Sequence, residues 1–566
     1  MNRSTESTSS ELGQQAATAV LGANPFVRLD PTEIMSATGK LLGLAMFSAR
    51  VRDEVLPRLS HELANVGRGD SELIPERGDR RFGDTTWTEN GLFRRWMQAY
   101  LLIEEALREL PDAVGLSASD RDKARFTTTI LAEALAPTNF LLGNPTALKR
   151  ALETGGKSLF KGAANLIDDI RNNGGMPSQV DRSAFLIGEN LATTPGAVVF
   201  RSEVLELIQY QPVTKEVRKR PLVVIPPQIN KFYVLDLAPG RSMVEYLVSQ
   251  GQQVFVVSWR NPGPGQSDWD LTRYVLEAEE ALRVAKRIAR CDRVNVLGAC
   301  AGGITTATLL AHLAATNRSL VESATFLVTV LDTDEPTAAS LFASERAIRT
   351  AIRRSRRRGI LSGRELARAF AWLRPNDLVW NYWVNNYLMG NPPPAFDVLA
   401  WNADSTNLPA ALHADFLGIF GTNALTHDDV LEIDGAPIVL STVDVDNYVV
   451  GALTDHITPW QACYRTPFLL NGDSRFVLSS SGHIQALVNP PDNPKARYHV
   501  NPSLPENADA WLADAETREG SWWEDWVEWL AKRAGDLRRA PRQPGSKTYP
   551  GLDPAPGTYV HEPAVR

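Results

Sequence analysis

Hydrophobic positions recur every three or four residues through the first third of the chain, and short unbroken apolar runs replace them afterwards. The three-to-four spacing, as in TWTENGLFRRWMQAYLLIEEALREL, predicts a mainly helical domain over residues 81–196. The segment from Thr38 to Leu63 has a similar pattern and predicts an amphipathic helix that packs into a core or binds an apolar surface. Residues 1–30 are rich in Ser, Thr, Gln and Ala and are predicted to form a mobile tail within region 1–80.

From residue 197 onward, apolar runs of strand length alternate with helical stretches. RPLVVIPP, QQVFVVSW, RVNVLGAC and SATFLVTVLD predict buried strands, and GRSMVEYLVSQ and RYVLEAEEALRVAKRIA predict helices between them. This alternation is typical of a parallel sheet covered on both faces, and it predicts an α/β domain over residues 197–540.

The alternation stops at about residue 334 and strands resume after about residue 435, with NYVVGALTD and RFVLSSSG. The intervening block, 334–435, is helical in pattern and rich in Trp and Asn. An insertion between two segments of such a sheet predicts a helical cap over the carboxyl edge, where active sites of this architecture lie. Residues 541–566 follow the last predicted elements as a C-terminal tail.

Composition narrows the function classes. A net charge of −7, from 59 basic and 66 acidic residues, predicts no general attraction to nucleic acid or to an anionic membrane, so an anionic substrate would need a local basic patch. The three cysteines, Cys291, Cys300 and Cys463, form neither a disulfide framework nor a pair with metal-ligand spacing. With no signal peptide and no long apolar run, a cytoplasmic protein without a transmembrane segment is expected.

The stretch VNVLGACAGG has the pattern of a nucleophile elbow that carries a cysteine. A strand runs into a Gly-x-Cys-x-Gly turn, and an alanine- and leucine-rich helix follows. Cys300 is thereby predicted to be held in a strained backbone conformation, next to glycines that avoid collisions with the neighbouring strand and helix. The alternative is a glycine-rich strand end with a buried, inert cysteine.

An acid and a histidine follow this elbow in the chain order of an α/β-hydrolase. Asp455 comes after the strand NYVVGAL, and His483 comes after the strand RFVLSS. His456 is the one rival to His483, because the other histidines lie in unsuitable positions: His61, His312, His413, His427, His499 and His561. The backbone amide of Ala301 is the predicted oxyanion donor, and Ile229, in the loop after an early strand, is the candidate for the second.

Several long motifs closely resemble those of the bacterial polyhydroxyalkanoate synthases, from about Asp79 to the carboxyl terminus. They are IPPQINK, VSWRNP, GACAGG, RPNDLVWNYWVNNYL, DHITPW, SGHIQALVNPP and GSWWEDW. The details GGKSL, NGGMPSQV and PPQINKF are most similar to the class that polymerises medium-chain substrates (class II).

The resemblance implies an α/β-hydrolase fold and an acyltransferase that polymerises (R)-3-hydroxyacyl-CoA into polyester, with release of CoA. In that reading Cys300 is the nucleophile that carries the acyl group, and His483 is the base that activates the Cys300 thiol. Asp455 either orients His483 or, with it, activates the attacking hydroxyl. No cofactor is implied, since coenzyme A arrives on the substrate. Association with cytoplasmic polyester granules is implied, together with a homodimer in which Trp401 is either a contact or packs within the cap.

Two other functions compete with the polymerase. A thioesterase or dienelactone-type hydrolase of the same fold would use the same three residues but would admit water. A granule-coat protein would bind polyester through apolar helices and keep an inactive hydrolase fold. The presence of Cys300, Asp455 and His483 in the correct order argues against the second of these.

Overall fold

The chain forms two compact units in a computed structural model that describes residues 31–76, 79–334, 345–365, 376–428, 430–455 and 457–564. The described part of the first unit, residues 31–181 and 376–394, is helical. The second unit takes residues 182–367 and 395–566, with the gaps just given, and contains every strand of the described residues. The predicted mobile tail, residues 1–30, lies outside the described part of the chain.

Seven α-helices make up most of the helical unit. They are α1 (Pro31–Phe47), α2 (Leu56–Arg68), α3 (Thr86–Glu89), α4 (Gly91–Glu109), α5 (Ala118–Ala134), α6 (Pro145–Glu153) and α7 (Lys157–Asn172). Polar side chains start several of them: Asn90 caps α4, Ser117 caps α5, and Asn144 caps α6 by accepting from the backbone N–H groups of the first turn. The mainly helical character predicted for this region is thus present.

The predicted helix from Thr38 to Leu63 is two helices, α1 and α2, joined by a π-helical turn at Val51–Val55. Part of its apolar stripe is buried, since Leu41, Val51 and Val55 pack against Val114 and other residues near α5. A second cluster surrounds Trp87. The segment therefore contributes to the core of the helical unit.

Residues 376–394, which belong to the predicted cap, lie in the helical unit instead. They form π-helical turns at Asn376–Trp380 and Val384–Leu388 around a short α-helical turn, Asn381–Trp383. The amide of Asn165 donates to the Asn386 carbonyl oxygen at 2.9 Å, and the Tyr387 hydroxyl donates to Asp169 at 2.7 Å. The block 334–435 is consequently divided between the two units, because its asparagine-rich stretch pairs with α7.

The second unit is built on one ten-stranded sheet, and its described residues also form three two-stranded sheets. Its strands are β1 (Gly196–Arg201), β2 (Leu205–Tyr210), β3 (Glu216–Arg218), β4 (Leu222–Ile225), β5 (Val254–Trp259), β6 (Val294–Ala299), β7 (Val321–Leu327), β8 (Ile360–Leu361), β9 (Leu408–Pro409), β10 (Glu432–Ile433), β11 (Ala436–Pro437), β12 (Asp446–Ala452), β13 (Ser474–Ser479), β14 (Arg497–Val500), β15 (Glu516–Glu519) and β16 (Leu537–Arg539).

The large sheet has the order β1-β2-β5-β4-β6-β7-β12-β13-β14-β15. The strands from β5 to β13 in this order are parallel, as predicted, but β1 and β2 at one end and β14 and β15 at the other are antiparallel. The prediction missed these end strands because polar residues interrupt their apolar positions, as in LELIQY of the fully buried β2 and ETRE of β15, so neither has the continuous apolar run of a central parallel strand. His499, excluded as a base by its position in the sequence, lies in β14.

The described residues of the second unit form eleven α-helices, numbered on from those of the helical unit. They are α8 (Met243–Ser249), α9 (Leu271–Ala289), α10 (Ala301–Ala315), α11 (Glu345–Arg358), α12 (Asp397–Ala403), α13 (Ala410–Thr422), α14 (Trp460–Tyr464), α15 (Thr466–Leu469), α16 (His483–Leu487), α17 (Ala508–Ala513) and α18 (Trp522–Ala531). Helix α10 is buried on all sides except at its last turn, which explains why it contains no Asp, Glu, Lys or Arg. No helix among the described residues has both the length and the apolar character needed to cross a bilayer.

The segment predicted as a C-terminal tail packs against the first edge of the sheet. The Val198 N–H donates to the Asp553 carbonyl oxygen and its carbonyl accepts from Leu552, both at 2.8 Å. Further along, the buried carboxylate of Glu206 on β2 accepts from the N–H groups of Thr558 and Tyr559. The segment thus covers backbone groups of β1 that would otherwise be an open sheet edge.

Trp401 on α12 is buried within its own chain, with 1% of its surface exposed. Its indole N–H donates to the Lys231 carbonyl oxygen at 2.8 Å. An interface anchor needs an exposed face, so Trp401 is a packing residue of its own chain in this structure. Its indole partner lies in the loop after β4, outside the predicted cap. The homodimer itself stays a prediction.

Trp401→Ala is therefore expected to destabilise the protein and to leave its sedimentation unchanged. Deleting a buried indole costs about 3–5 kcal/mol, so the midpoint of thermal unfolding should fall by at least several degrees. Trp401→Phe keeps most of the apolar contact, so its midpoint of thermal unfolding should fall by less. A loss of dimer in analytical ultracentrifugation with an unchanged unfolding midpoint would contradict this assignment.

Candidate active site

Cys300 occupies the sharp turn between β6 and α10 at the carboxyl edge of the parallel strands. Its backbone has φ 50° and ψ −121°, a conformation that residues with a side chain rarely adopt. The Cys300 N–H donates to Leu327 on the neighbouring strand and its carbonyl oxygen accepts from Gly303, both at 2.9 Å. These bonds hold the strained turn and leave the thiol half-exposed above the sheet.

The glycines around Cys300 are required by close backbone contacts. A Cβ atom on Gly298 would lie 2.7 Å from the Gly303 Cα atom, and one on Gly302 would lie 2.6 Å from the Pro226 carbonyl oxygen. Both distances are too short for a real carbon atom. The Gly-x-Cys-x-Gly pattern thus has the steric origin that the sequence predicted, with the helix on one side and the loop after β4 on the other.

Asp455 and His483 meet in the loops after two adjacent parallel strands, β12 and β13. The Nδ1 atom of His483 lies 2.6 Å from Oδ2 of Asp455, and both side chains are buried. Because a carboxylate only accepts, Nδ1 carries the proton and Nε2 remains as the acceptor of the imidazole. The Cys300 side chain lies close enough to His483 to be one of the groups that raise the pKa of the imidazole. The structure therefore brings together all three predicted side chains, and Cys300 is not an isolated, inert thiol.

Electrostatics at this pair favours charge on the carboxylate. Burial raises the pKa of Asp455, but the charge and hydrogen bond of His483, with hydrogen bonds from Thr458, outweigh it and hold that pKa below its ordinary value. Burial lowers the pKa of His483, but the charge and hydrogen bond of Asp455, with a contribution from Cys300, raise it above its ordinary value. His483 is thereby a stronger base toward a proton donor at Nε2.

Thr458 is a site residue that the sequence reasoning missed. Its hydroxyl donates to Asp455 Oδ2 at 2.6 Å and lies 3.2 Å from His483 Nδ1. The backbone N–H groups of Ile457 and Thr458 donate to Asp455 Oδ1 at 2.8 and 3.1 Å. Both carboxylate oxygens are therefore occupied by protein donors. The signal was the Asp-x-x-Thr spacing, which is typical of a carboxylate that caps the following turn.

The predicted oxyanion donors belong to two elements that pack together beside Cys300. Ala301 is the first residue of α10, and Ile229 belongs to the loop after β4, whose Pro226 packs against Gly302. Within the described part of the chain, neither the Ala301 nor the Ile229 amide donates a hydrogen bond. Both amides thus remain available, and their role stays a prediction.

Cys463 lies beside the site, because its thiol donates to the Thr458 carbonyl oxygen at 3.6 Å, whereas Cys291 and several histidines lie in other environments. Cys463 on α14 is fully buried, and burial raises its pKa well above the ordinary value of a thiol. Burial also raises the pKa of Cys291, which follows α9. Three histidines have partners outside the site: His312 beside Glu279, His413 with Ser355, and His499 with Ser480. His456, the rival base, lies outside the described residues.

Two family profiles match the chain. Residues 78–247 match the profile described as the N-terminus of poly-beta-hydroxybutyrate polymerase (PhaC), and residues 221–490 match the alpha/beta hydrolase fold. The second match covers the elbow, Asp455 and His483, and agrees with the observed sheet order.

Three curated relatives cover most of the chain and most of their own length. Poly(3-hydroxyalkanoate) polymerase 2 of Ectopseudomonas oleovorans is 52% identical over 89% of this chain and 90% of its own. Poly(3-hydroxyalkanoate) polymerase 1 of the same organism is 47% identical over 98% and 99%. The poly(3-hydroxyalkanoate) polymerase subunit PhaC of Cupriavidus necator is 43% identical over 88% and 85%. The chain therefore belongs to the poly(3-hydroxyalkanoate) polymerase family, with an α/β-hydrolase fold in its sheet unit.

Proposed function

We propose that the protein polymerises (R)-3-hydroxyacyl-CoA thioesters into a polyhydroxyalkanoate and releases CoA, with Cys300 as the covalent acyl carrier. One observation carries this proposal: in a chain of this family, a cysteine occupies the strained elbow beside a buried histidine whose Nδ1 lies 2.6 Å from a buried carboxylate. The motifs GGKSL, NGGMPSQV and PPQINKF favour medium-chain acyl groups. The growing polyester, and the granule that it forms, would be the protein's other partner.

In the first step, His483 Nε2 takes the thiol proton as the Cys300 sulfur attacks the thioester carbonyl carbon. A carbon–sulfur bond to Cys300 forms and the carbonyl oxygen becomes an oxyanion. Collapse of this intermediate breaks the carbon–sulfur bond to CoA, and the leaving thiolate takes the proton from the imidazolium. Exchange of one thioester for another is nearly balanced in energy, so the acyl group stays reactive on sulfur.

The oxyanion of this step would be stabilised by the amides of Ala301 and Ile229. Ala301 stands at the N-terminus of the 15-residue helix α10, where unpaired N–H groups and the helix dipole favour negative charge. Ile229 lies in the adjacent loop, across the close contact between Gly302 and Pro226. The two N–H groups, one on the helix and one on the loop, would donate hydrogen bonds to the same oxygen.

In the second step, the hydroxyl of a hydroxyacyl unit attacks the acyl carbonyl on Cys300. His483 takes the hydroxyl proton, an ester bond forms, and the Cys300 sulfur leaves and recovers the proton. Asp455 has both oxygens occupied by His483, Thr458 and Ile457, so it has no free lone pair directed at a substrate hydroxyl. We therefore assign it the orienting role in both steps.

Incubation with 3-hydroxydecanoyl-CoA tests the proposed function, with free CoA and insoluble polymer followed separately. CoA together with polymer is the expected result, and the protein should sediment with the polymer that it makes. CoA with free hydroxy acid would instead identify a thioesterase. Neither product would identify a non-catalytic, polyester-binding protein.

Asp455→Asn is expected to slow acylation itself, on the order of 10²-fold, because an orienting carboxylate acts in both steps. Trapping the acyl-enzyme by rapid quenching and mass spectrometry measures this rate. If Asp455 served only the attacking hydroxyl, the variant would acylate Cys300 at the normal rate and then stall. Asp446→Asn, at the start of β12 and outside the site, is the matched control and should acylate normally.

A further inference from the structure

We propose that Lys231 is a positioning residue that fixes the oxyanion loop, defined as residues 226–231, by joining it to α12 and to the C-terminal segment. The inference rests on the proposed function, because the loop acts on the rate only if an acyl transfer forms an oxyanion there. It gives the C-terminal segment a role in catalysis through its contact with Lys231.

Lys231 is a buried ammonium held by two fixed acceptors. Only 8% of the residue is exposed, and its Nζ atom donates to the Val560 carbonyl oxygen at 2.5 Å and to Asp404 Oδ1 at 3.0 Å. Burial lowers the pKa of Lys231, and the charge of Asp404 opposes that change. A lysine is almost never buried without such partners, because an unpaired buried charge is very costly. The loop cannot move away without breaking both contacts.

The end of α12 holds both the backbone and the side chain of Lys231. The Trp401 indole N–H donates to the Lys231 carbonyl oxygen at 2.8 Å. The Tyr233 hydroxyl donates to Asp404 Oδ2 at 3.0 Å, which fixes the carboxylate that receives the ammonium. Asn230 and Ser405 form a β-bridge beside these contacts. The carboxyl end of the loop is thus attached to α12 by main-chain and side-chain bonds.

The Val560 carbonyl oxygen is itself held in place by the sheet. Thr558 and Tyr559 donate from their backbone N–H groups to Glu206 on β2, at 2.9 and 3.0 Å. On the other side, Asn261 donates to the Glu562 carbonyl oxygen at 3.3 Å, and Arg260 lies 3.2 Å from the Glu562 carboxylate. The acceptor that Lys231 finds in the C-terminal segment is therefore a rigid one.

The other end of the loop is attached to the elbow helix. The Gln228 side-chain amide donates to the Thr305 hydroxyl at 2.8 Å, one turn along α10 from Ala301. Thr305 in turn donates to the Ala301 carbonyl oxygen at 3.3 Å. Ile229 lies between the anchored residues Gln228 and Lys231, so its amide direction is set by both. Preorganised donors of this kind stabilise a transition state without reorganisation.

Lys231→Met in the full-length protein tests the inference, since methionine keeps the apolar stem and removes the charge. Acylation of Cys300 by 3-hydroxydecanoyl-CoA is measured in single turnovers over a range of substrate concentrations. We expect the maximal rate to fall roughly 10- to 100-fold, with the half-saturating concentration changed less than about threefold.

Alkylation of Cys300 by iodoacetamide separates a positioning role of Lys231 from a merely structural one, because general damage to the site would slow alkylation as well as acylation. In this reaction the sulfur displaces iodide at a saturated carbon, so no oxyanion forms and the loop contributes nothing. We expect Lys231→Met to be alkylated at the wild-type rate. Asp525→Asn is the matched control: it weakens the partly buried contacts of α18 with Tyr448 on β12 and Arg475 on β13, and should change neither rate.

Two results would overturn the inference. One is normal acylation by Lys231→Met, and the other is an equal loss of acylation and alkylation, which would indicate general damage to the site. If Lys231→Met does not fold, Asp404→Asn decides by the same two criteria, with an expected loss of roughly 3- to 10-fold. Failure of the wild-type protein to acylate would instead reject the proposed function, so the two failures are distinguishable.

Discussion

Cys300→Ala is expected to abolish both CoA release and polymer formation while the protein keeps its fold. The sulfur is the only atom in the proposed mechanism that holds the acyl group, so the loss should be at least about 10⁴-fold and below detection in most assays. The fold should survive because the side chain is half-exposed and alanine meets the same strained backbone as cysteine. CoA is measured by chromatography, polymer by sedimentation, and folding by circular dichroism.

Cys300→Ser should be nearly as inactive, because a hydroxyl is much harder to deprotonate than a thiol. Cys291→Ala is the matched control and should retain CoA release, since its thiol bonds to the Lys286 carbonyl oxygen at the end of α9. Cys463→Ala should retain it as well, because its thiol bonds to the backbone of Thr458 and not to a proposed catalytic side chain. Turnover by Cys300→Ala at the wild-type rate would show that the nucleophile has been assigned to the wrong residue. If Cys463→Ala lost its folded structure as well as its activity, the loss would be a stability effect of the fully buried Cys463 and would not indicate a catalytic role.

His483→Gln is expected to lower the rate of Cys300 acylation by about 10²- to 10⁴-fold, the usual contribution of a positioned base. Glutamine can still donate to Asp455 but cannot take a proton from the thiol. The raised pKa of the imidazole, which Asp455 produces against the effect of burial, makes the lost base a strong one. Rapid quenching with mass spectrometry of the acyl-enzyme gives the rate directly.

His499→Gln is the control for this substitution, because His499 is bonded to Ser480 and Thr517 and lies in β14, away from Asp455. It should acylate at close to the wild-type rate. Acylation by His483→Gln within about threefold of wild type would exclude His483 as the base. The neighbouring His456 would then be the residue to replace next.

The three proposed catalytic residues could be found from the sequence because each has a local signal. A strand that turns sharply into a helix needs glycines beside the turn residue, and these glycines flank Cys300 in the sequence. Asp455 and His483 each follow an apolar strand, and parallel strands present their carboxyl ends at one edge of the sheet. Even Thr458 had a local signal in its spacing from Asp455.

Two groups of contacts had no such local signal: those that hold the oxyanion loop in place, and those that assign residues 376–394 to the helical unit. Only the tertiary structure shows them. Lys231 and Val560 are separated by 329 positions, and Asn165 and Asn386 by 221. Trp401 looked equally suited to an interface or to a core until its surroundings were known. Periodicity and turn residues report the conformation of a segment and the face that it buries. Which elements then meet depends on the packing of the whole chain, because long-range hydrogen bonds and burial exist only once both partners have been brought together.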